Sequence, residues 1–201
     1  MAVLSTRAKR RLGEIAIATI VIFIAWVVQL SILSKFRFTS AVANLPLTMT
    51  IVWGLTFGSS MQKPTADELR VSSFSSIFLR QLLSGSPSGF IVGAFFAALS
   101  TSVLPLFPVS YPLIGWTAGY FSLRNFNQAA FLCIPLTILL SFLGEMVMSL
   151  QLAIAGREDV LSHLVVIGVP EAFLNGLISP VLFIPMRGWY QYAAYYRLAG
   201  R

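Results

Sequence analysis

The chain has 201 residues, of which 57% are hydrophobic and only 10% charged, and its mean hydropathy is +0.81. Soluble domains carry about 25% charged residues, so this composition excludes an ordinary soluble fold and describes an integral membrane protein. A net charge of +7 invites a nucleic-acid reading. However, the basic residues lie in short connections and at the termini, as expected for contact with anionic lipids and control of topology, and no nucleic-acid partner is expected.

There is room for about six spans of roughly 20 residues. Arg7, Lys9, Arg10 and Arg11 precede an apolar run from Ile15 to Leu33, broken by Thr19, Gln29 and Ser31. Ala41-Val42-Ala43 offers a signal-peptidase-like site, but a signal core is usually about 7–15 residues and this run is longer, so a retained first span is expected over 14–34. The second span is expected over 41–61, with Pro46 and the pair Gly54/Gly58. Gln62–Arg70 is polar. Val71–Ser84 then places Phe74, Ile77, Phe78, Leu82 and Leu83 at helical spacing, with Arg80 off their stripe, which predicts a short amphipathic surface helix over 71–84.

The third span is expected over 89–107, ended by Pro105 and Pro108, and a short fourth over 110–122, with Gly115 and Gly119. The fifth covers 128–150, followed by a polar loop at Gly156–His163. The sixth covers 164–186, where Pro170, Pro180 and Pro185 interrupt the segment and leave backbone groups for neighbouring helices to satisfy. An aromatic and basic tail, 187–201, would hold Trp189, Tyr190, Tyr192, Tyr195 and Tyr196 at headgroup depth. With six spans, eleven of the fourteen lysines and arginines fall on the side of the termini and three (Lys35, Arg37 and Arg157) on the other, which predicts cytoplasmic termini.

Small-residue pairs four apart, Gly54/Gly58, Gly89/Gly93 and Gly115/Gly119, let helix backbones approach closely, either inside one bundle or on a face for another membrane protein. Two polar stripes stand out. Ser141, Glu145 and Ser149 lie on the fifth span; Glu171, Asn175 and Ser179 lie on the sixth, each set repeating at i, i+4, i+8 on one slowly drifting face. A carboxylate at that depth must face protein, water or a partner. The two faces could therefore meet in a buried network, present a polar contact to a partner, or line a ligand or ion path, with Glu145 and Glu171 protonated or hydrogen-bonded by Asn175 and the serines. Cys133, the only cysteine, reads as a small core residue, and His163, the only histidine, as a solvated loop residue. Nothing supplies a nucleophile, oxyanion donors, a metal cluster or a cofactor motif, so neither enzymatic activity nor a cofactor is expected.

In their order, several stretches resemble the MreD family, small multispan proteins of the bacterial rod-shape machinery. They are Pro46 with its apolar span; Gly89-Phe90-Ile91-Val92-Gly93 leading to Pro112-Leu113 and Gly119-Tyr120; LLSFLGE ending at Glu145; and Asn175 to Phe183 with Pro180, followed by Arg187. Ala97 or Ser100 stands where many members carry an aspartate. The resemblance implies an all-α six-span bundle in the bacterial inner membrane, a non-enzymatic scaffold. Its expected partners are the single-span protein MreC, the glycosyltransferase RodA with its transpeptidase, and membrane lipids. As a mechanism, the glycine faces and the Glu171/Asn175 stripe are expected to fix the bundle and present a groove to a partner's transmembrane helix, with Asn175 and Pro180 shaping the last helix, Glu145 and Ser179 in the polar layer, and Arg187 anchoring the cytoplasmic end. The same fold is similar to the substrate-capture subunits of energy-coupling-factor vitamin transporters, which require a pocket open to the outside. The brief outer stretches Lys35–Ser40 and Gly156–His163 offer little from which to build one.

Overall fold

The computed structural model describes residues 6–37, 40–58, 75, 81–102, 106–123, 129–157 and 160–199, and its regular structure over them is helical. Helix α1 covers Thr6–Ser31, with a 3-10 turn at Leu33–Lys35; α2 covers Leu45–Phe57; α3 covers Pro87–Ser100. Helix α4 covers Ser110–Ala118 and runs into a 3-10 turn at Gly119–Phe121, and α5 covers Ala129–Ile154. A single turn at Val160–His163 and a π turn at Leu164–Gly168 lead without a break into α6, Val169–Ala199.

Among the described residues, three helical stretches are long and apolar enough to cross a membrane: Leu12–Lys35, Ala129–Ile154 and Val160–Tyr195. The segment expected over 41–61 forms a shorter helix. Asn44 caps it, with Pro46 in its first turn, so Ala41–Asn44 stays outside. Ser86 and Pro87 start α3 in the same way, the Ser86 hydroxyl accepting from the Gly89 N–H at 3.0 Å. The last helix, in contrast, exceeds its expected bounds at both ends. It starts at Val160, so half-buried His163 is helical rather than in a loop, and it continues through Arg187 into the aromatic tail. The expected surface helix over 71–84 lies outside the described residues except for Ser75 and 81–84.

The prolines of the last segment do not break it. A proline at position i cannot donate to the carbonyl at i−4. For Pro180 that carbonyl belongs to Gly176, and the Ser179 hydroxyl donates to it instead at 2.7 Å. For Pro170 it belongs to Val166, inside the π turn, and the Ser40 hydroxyl donates to it at 3.1 Å. The freed acceptors are thus satisfied by a neighbouring residue and by a neighbouring segment.

Helix α2 is the centre of the bundle, buried from Leu45 to Thr56 and packed on α1, α3, α4, α5 and α6. Its hydroxyls are paired within the helix, Thr48, Thr50 and Thr56 each donating to the carbonyl four residues back at 2.8 Å. At its far end Trp53 and Phe57 meet Trp189 and Tyr190 of α6 edge-on, with ring centroids 5.7–5.8 Å apart, so these two tail aromatics pack against the bundle. Tyr192 and Tyr195 are exposed.

All six paired glycines face backbone of a neighbouring segment where α2, α3 and α4 meet. A Cβ on Gly54 would sit 2.7 Å from the Gly115 carbonyl oxygen; one on Gly58 would meet the Gly119 Cα; one on Gly89 would meet the Gly115 carbonyl. A Cβ on Gly93 would sit 2.6 Å from the Tyr111 carbonyl carbon, and one on Gly119 would meet the Ser86 backbone. These pairs are spent on internal packing and present no face to another protein. Substituting Gly58→Ala or Gly115→Ala should therefore destabilise the bundle by about 1–3 kcal/mol, since backbone must move to make room. Gly188→Ala, where a Cβ meets open space, should leave the unfolding midpoint in detergent unchanged or slightly raised. Equal midpoints for all three would remove this account.

Candidate functional site

The first amides of any helix lack partners inside it, and α2 begins among apolar helices where water cannot supply them. Each has a protein partner. The Leu45 N–H donates to Gln29 Oε1 of α1 at 2.8 Å, Pro46 has no N–H, and the Leu47 N–H donates to Asn44 Oδ1 at 3.1 Å. The Thr48 N–H closes the first turn on the Asn44 carbonyl at 2.9 Å.

Asn44 ties this helix start to the rest of the bundle. Its N–H donates to Asn175 Oδ1 of α6 at 2.7 Å, and its Nδ2 donates to the Tyr111 hydroxyl of α4 at 2.9 Å. Asn175 in turn donates from Nδ2 to Ser141 of α5 at 3.3 Å. The stripes on α5 and α6 meet in antiparallel register: Glu145 beside Glu171, Ser141 beside Asn175, then Thr137 and Cys133 near Ser179. Ser141, Asn175 and Ser179 are fully buried, and Glu145 is 6% and Glu171 9% exposed. Gly168 of the π turn packs against the Glu145 side chain.

Of the residues singled out from the sequence, the structure brings Glu145, Glu171 and Asn175 together with Ser141, and it sets Ser179 and Pro180 one turn further along α6. Asn175 does not face outward toward a partner: both ends of its amide are used inside the bundle. Arg187 lies well away from this layer, half-buried in α6, with an enclosed Nε that has no hydrogen-bond partner. Among the described residues no three His, Cys, Asp or Glu side chains gather as metal ligands would.

Beside the polar layer lies a cavity of about 470 Å³, within the range typical of small-molecule sites. Trp26, Gln29 and Leu30 of α1 form one wall, and Ser34, Arg37, Ser40 and Val42 form the rim. Asn44, Pro46, Ser100, Tyr111, Ile167 and Glu171 close it from the core side. Loops of the length found here could not enclose such a space alone. It exists because α2 starts deep, at the level of Gln29, six residues and so roughly 9 Å inside the end of the first helical stretch at Lys35. Irregular backbone at that depth is tolerated where it is buried or lines a cavity, and Ser40–Asn44 does so. A π turn, often found at functional sites, sets Ile167 and Glu171 against the same space.

Sequence reasoning missed Gln29, Asn44 and Tyr111. Asn44-Leu45-Pro46 is a helix-start signal that was there to be read. Gln29 was visible only as a break in an apolar run, and nothing local marks Tyr111. Replacing Asn175 by alanine strands the Asn44 N–H and the Ser141 hydroxyl and should cost about 1–3 kcal/mol for each group left unpaired. Tyr111→Phe removes one hydrogen bond and should cost about 0.5–1.5 kcal/mol. Unfolding midpoints of the purified variants in one detergent test the order, and a Tyr111→Phe loss equal to or above that of Asn175→Ala would overturn it. The chain matches no family model, no curated protein and no solved structure, so its reading rests on its own residues.

Proposed function

We propose that the chain is an MreD-like scaffold of the bacterial cell-elongation complex, a six-span inner-membrane bundle with both termini in the cytoplasm. In this reading it binds an MreC-like single-span protein and supports a RodA-like glycosyltransferase and its transpeptidase in peptidoglycan synthesis. The observation that carries the reading is convergence. The stretches that resemble the family are scattered from Pro46 to Arg187, yet five of their residues, Gly89, Gly93, Gly119, Glu145 and Asn175, belong to two adjoining features. One is the glycine contact of α2, α3 and α4; the other is the polar layer of Glu145, Glu171 and Asn175. A core in which Asn44, Tyr111, Asn175 and Ser141 cross-link four segments by hydrogen bonds suits a subunit whose task is to hold others in place. Its longest helices leave large apolar side chains outside, including Phe131, Leu139 and Leu150 on α5 and Phe173, Leu177, Val181 and Ile184 on α6, where lipid and a partner helix can both pack. The eleven-to-three bias of basic residues supports the orientation.

The cavity favours a second reading, a substrate-capture subunit similar to those of energy-coupling-factor transporters, because it supplies the pocket that the short outer connections alone would not. The two part on partners. Affinity purification from native membranes should recover a coiled-coil single-span protein and a multispan glycosyltransferase, and depletion of the chain should turn rods into spheres. Single cysteines placed along the outward faces of α1, α5 and α6 should give at least one specific crosslink to the single-span partner. Recovery of a pair of ATPases instead, with cell shape unchanged on depletion, would reject the scaffold in favour of transport.

A further inference from the structure

The cavity is divided in its hydrogen-bonding character: Arg37 brings a guanidinium to the rim and Gln29 an amide NH2 to the α1 wall, whereas acceptors dominate elsewhere. Three of its hydroxyls have their protons committed to backbone carbonyls: Ser34 to Leu30 at 2.6 Å, Ser40 to Val166 at 3.1 Å and Ser100 to Phe96 at 2.8 Å. Their oxygens face the cavity as acceptors only. The amide donors of the core side are spent as well, Asn44 on Asn175 and Tyr111, and Asn175 on Ser141. Glu171 adds a carboxylate that is nine-tenths buried and whose enclosed Oε1 accepts no hydrogen bond, with the Glu145 carboxyl group directly behind it. The core side, where Glu171 and Ser100 lie away from the Arg37 rim, suits an occupant that brings donors and positive charge. Trp26 and Leu30 supply an apolar and aromatic wall on the side of α1, and an indole face suits a cation.

We propose that this cavity binds a primary ammonium group, received by Glu171 and the surrounding hydroxyl oxygens, with the apolar part of the molecule against Trp26 and Leu30. The amine has two sources of the same chemistry, the headgroup of an aminophospholipid or a free small amine. Helix α1, which walls the cavity, is largely uncovered on its outer face: among its described side chains only Ile22 and Ala25 are buried, and its other residues are half-buried or exposed. The inference goes beyond the scaffold and transport readings and depends on neither.

The test uses the full chain. In one arm it is released from nanodiscs of mixed phosphatidylethanolamine and phosphatidylglycerol, and the retained lipid is counted by native mass spectrometry. In the other arm the detergent-purified protein is titrated with ethanolamine, with ethylene glycol as the neutral counterpart. Preferential retention of the ethanolamine lipid, or saturable binding of ethanolamine but not ethylene glycol, supports the site and identifies the source. In whichever arm responds, Glu171→Gln should weaken binding about tenfold or more, because it replaces a charged acceptor by a neutral one of the same shape. Should that variant fail to fold, Trp26→Leu on the cavity wall carries the same test and should lower binding several-fold. No preference for the amine in either arm, or a preference unchanged in a folded Glu171→Gln protein, would overturn the proposal. Partner recovery is read separately, so a failed amine site and a failed scaffold are told apart.

Discussion

The start of α2 inside the bundle is the constraint on which the other contacts depend. A helix that begins in contact with bulk water leaves its first amides to solvent, but one that begins among apolar helices must find an acceptor for each, at a cost of several kcal/mol per group left unpaired in hydrocarbon. Gln29, Asn44 and Asn175 meet that demand. Because these residues sit on α1, at the cap and on α6, meeting it fixes the height and rotation of three segments at once. Tyr111 and Ser141 extend the same network to α4 and α5. Polar residues thus do in this bundle what graded hydrophobicity does in a soluble core: they specify one register among the many that apolar packing alone would accept.

Around that network, apparent weaknesses of the sequence become joints. Pro170 and Pro180 each release a carbonyl, and Ser40 and Ser179 take them up, so the last helix runs on to Ala199 while its first part is drawn toward the α1–α2 connection. The glycines act on the opposite side of α2. With no side chain between them, α2, α3 and α4 approach to backbone contact, which offsets the short length of these helices with close dispersion contact. The result is a tight interior made of short helices, with long helices at its border.

The same geometry produces the cavity. A deep helix start, a connection that returns from the end of α1, and a π turn that displaces Ile167 and Glu171 leave a space that no neighbouring side chain fills. Function, on either reading of the chain, would therefore draw on two different parts of the molecule. The outward apolar faces of α1, α5 and α6 are available to protein or lipid, while the cavity is a polar recess with an excess of acceptors. Glu171 belongs to both the structural layer and the recess, which is why its replacement bears on stability as well as on binding.

Membrane character, the long first, fifth and sixth helices, and the polar stripes carrying Glu145 and Glu171 were legible from the residues, whereas the meeting of the two stripes was one of three alternatives. Each legible feature depends on local composition or on a repeat within one helix, and a period of four read on two apolar segments is enough to orient them. The uninterrupted course of the last helix through its prolines and the packed state of Trp189 and Tyr190 were not legible. They depend on which distant group reaches a freed carbonyl or ring. Whether the glycine pairs face inward, whether Asn175 is spent inside the bundle and whether a cavity opens beside Glu171 are questions of relative helix position. Tertiary structure decided them, because hydrogen bonds between Asn44, Tyr111 and Asn175 join residues 67 and 131 positions apart, a relation that no local pattern encodes.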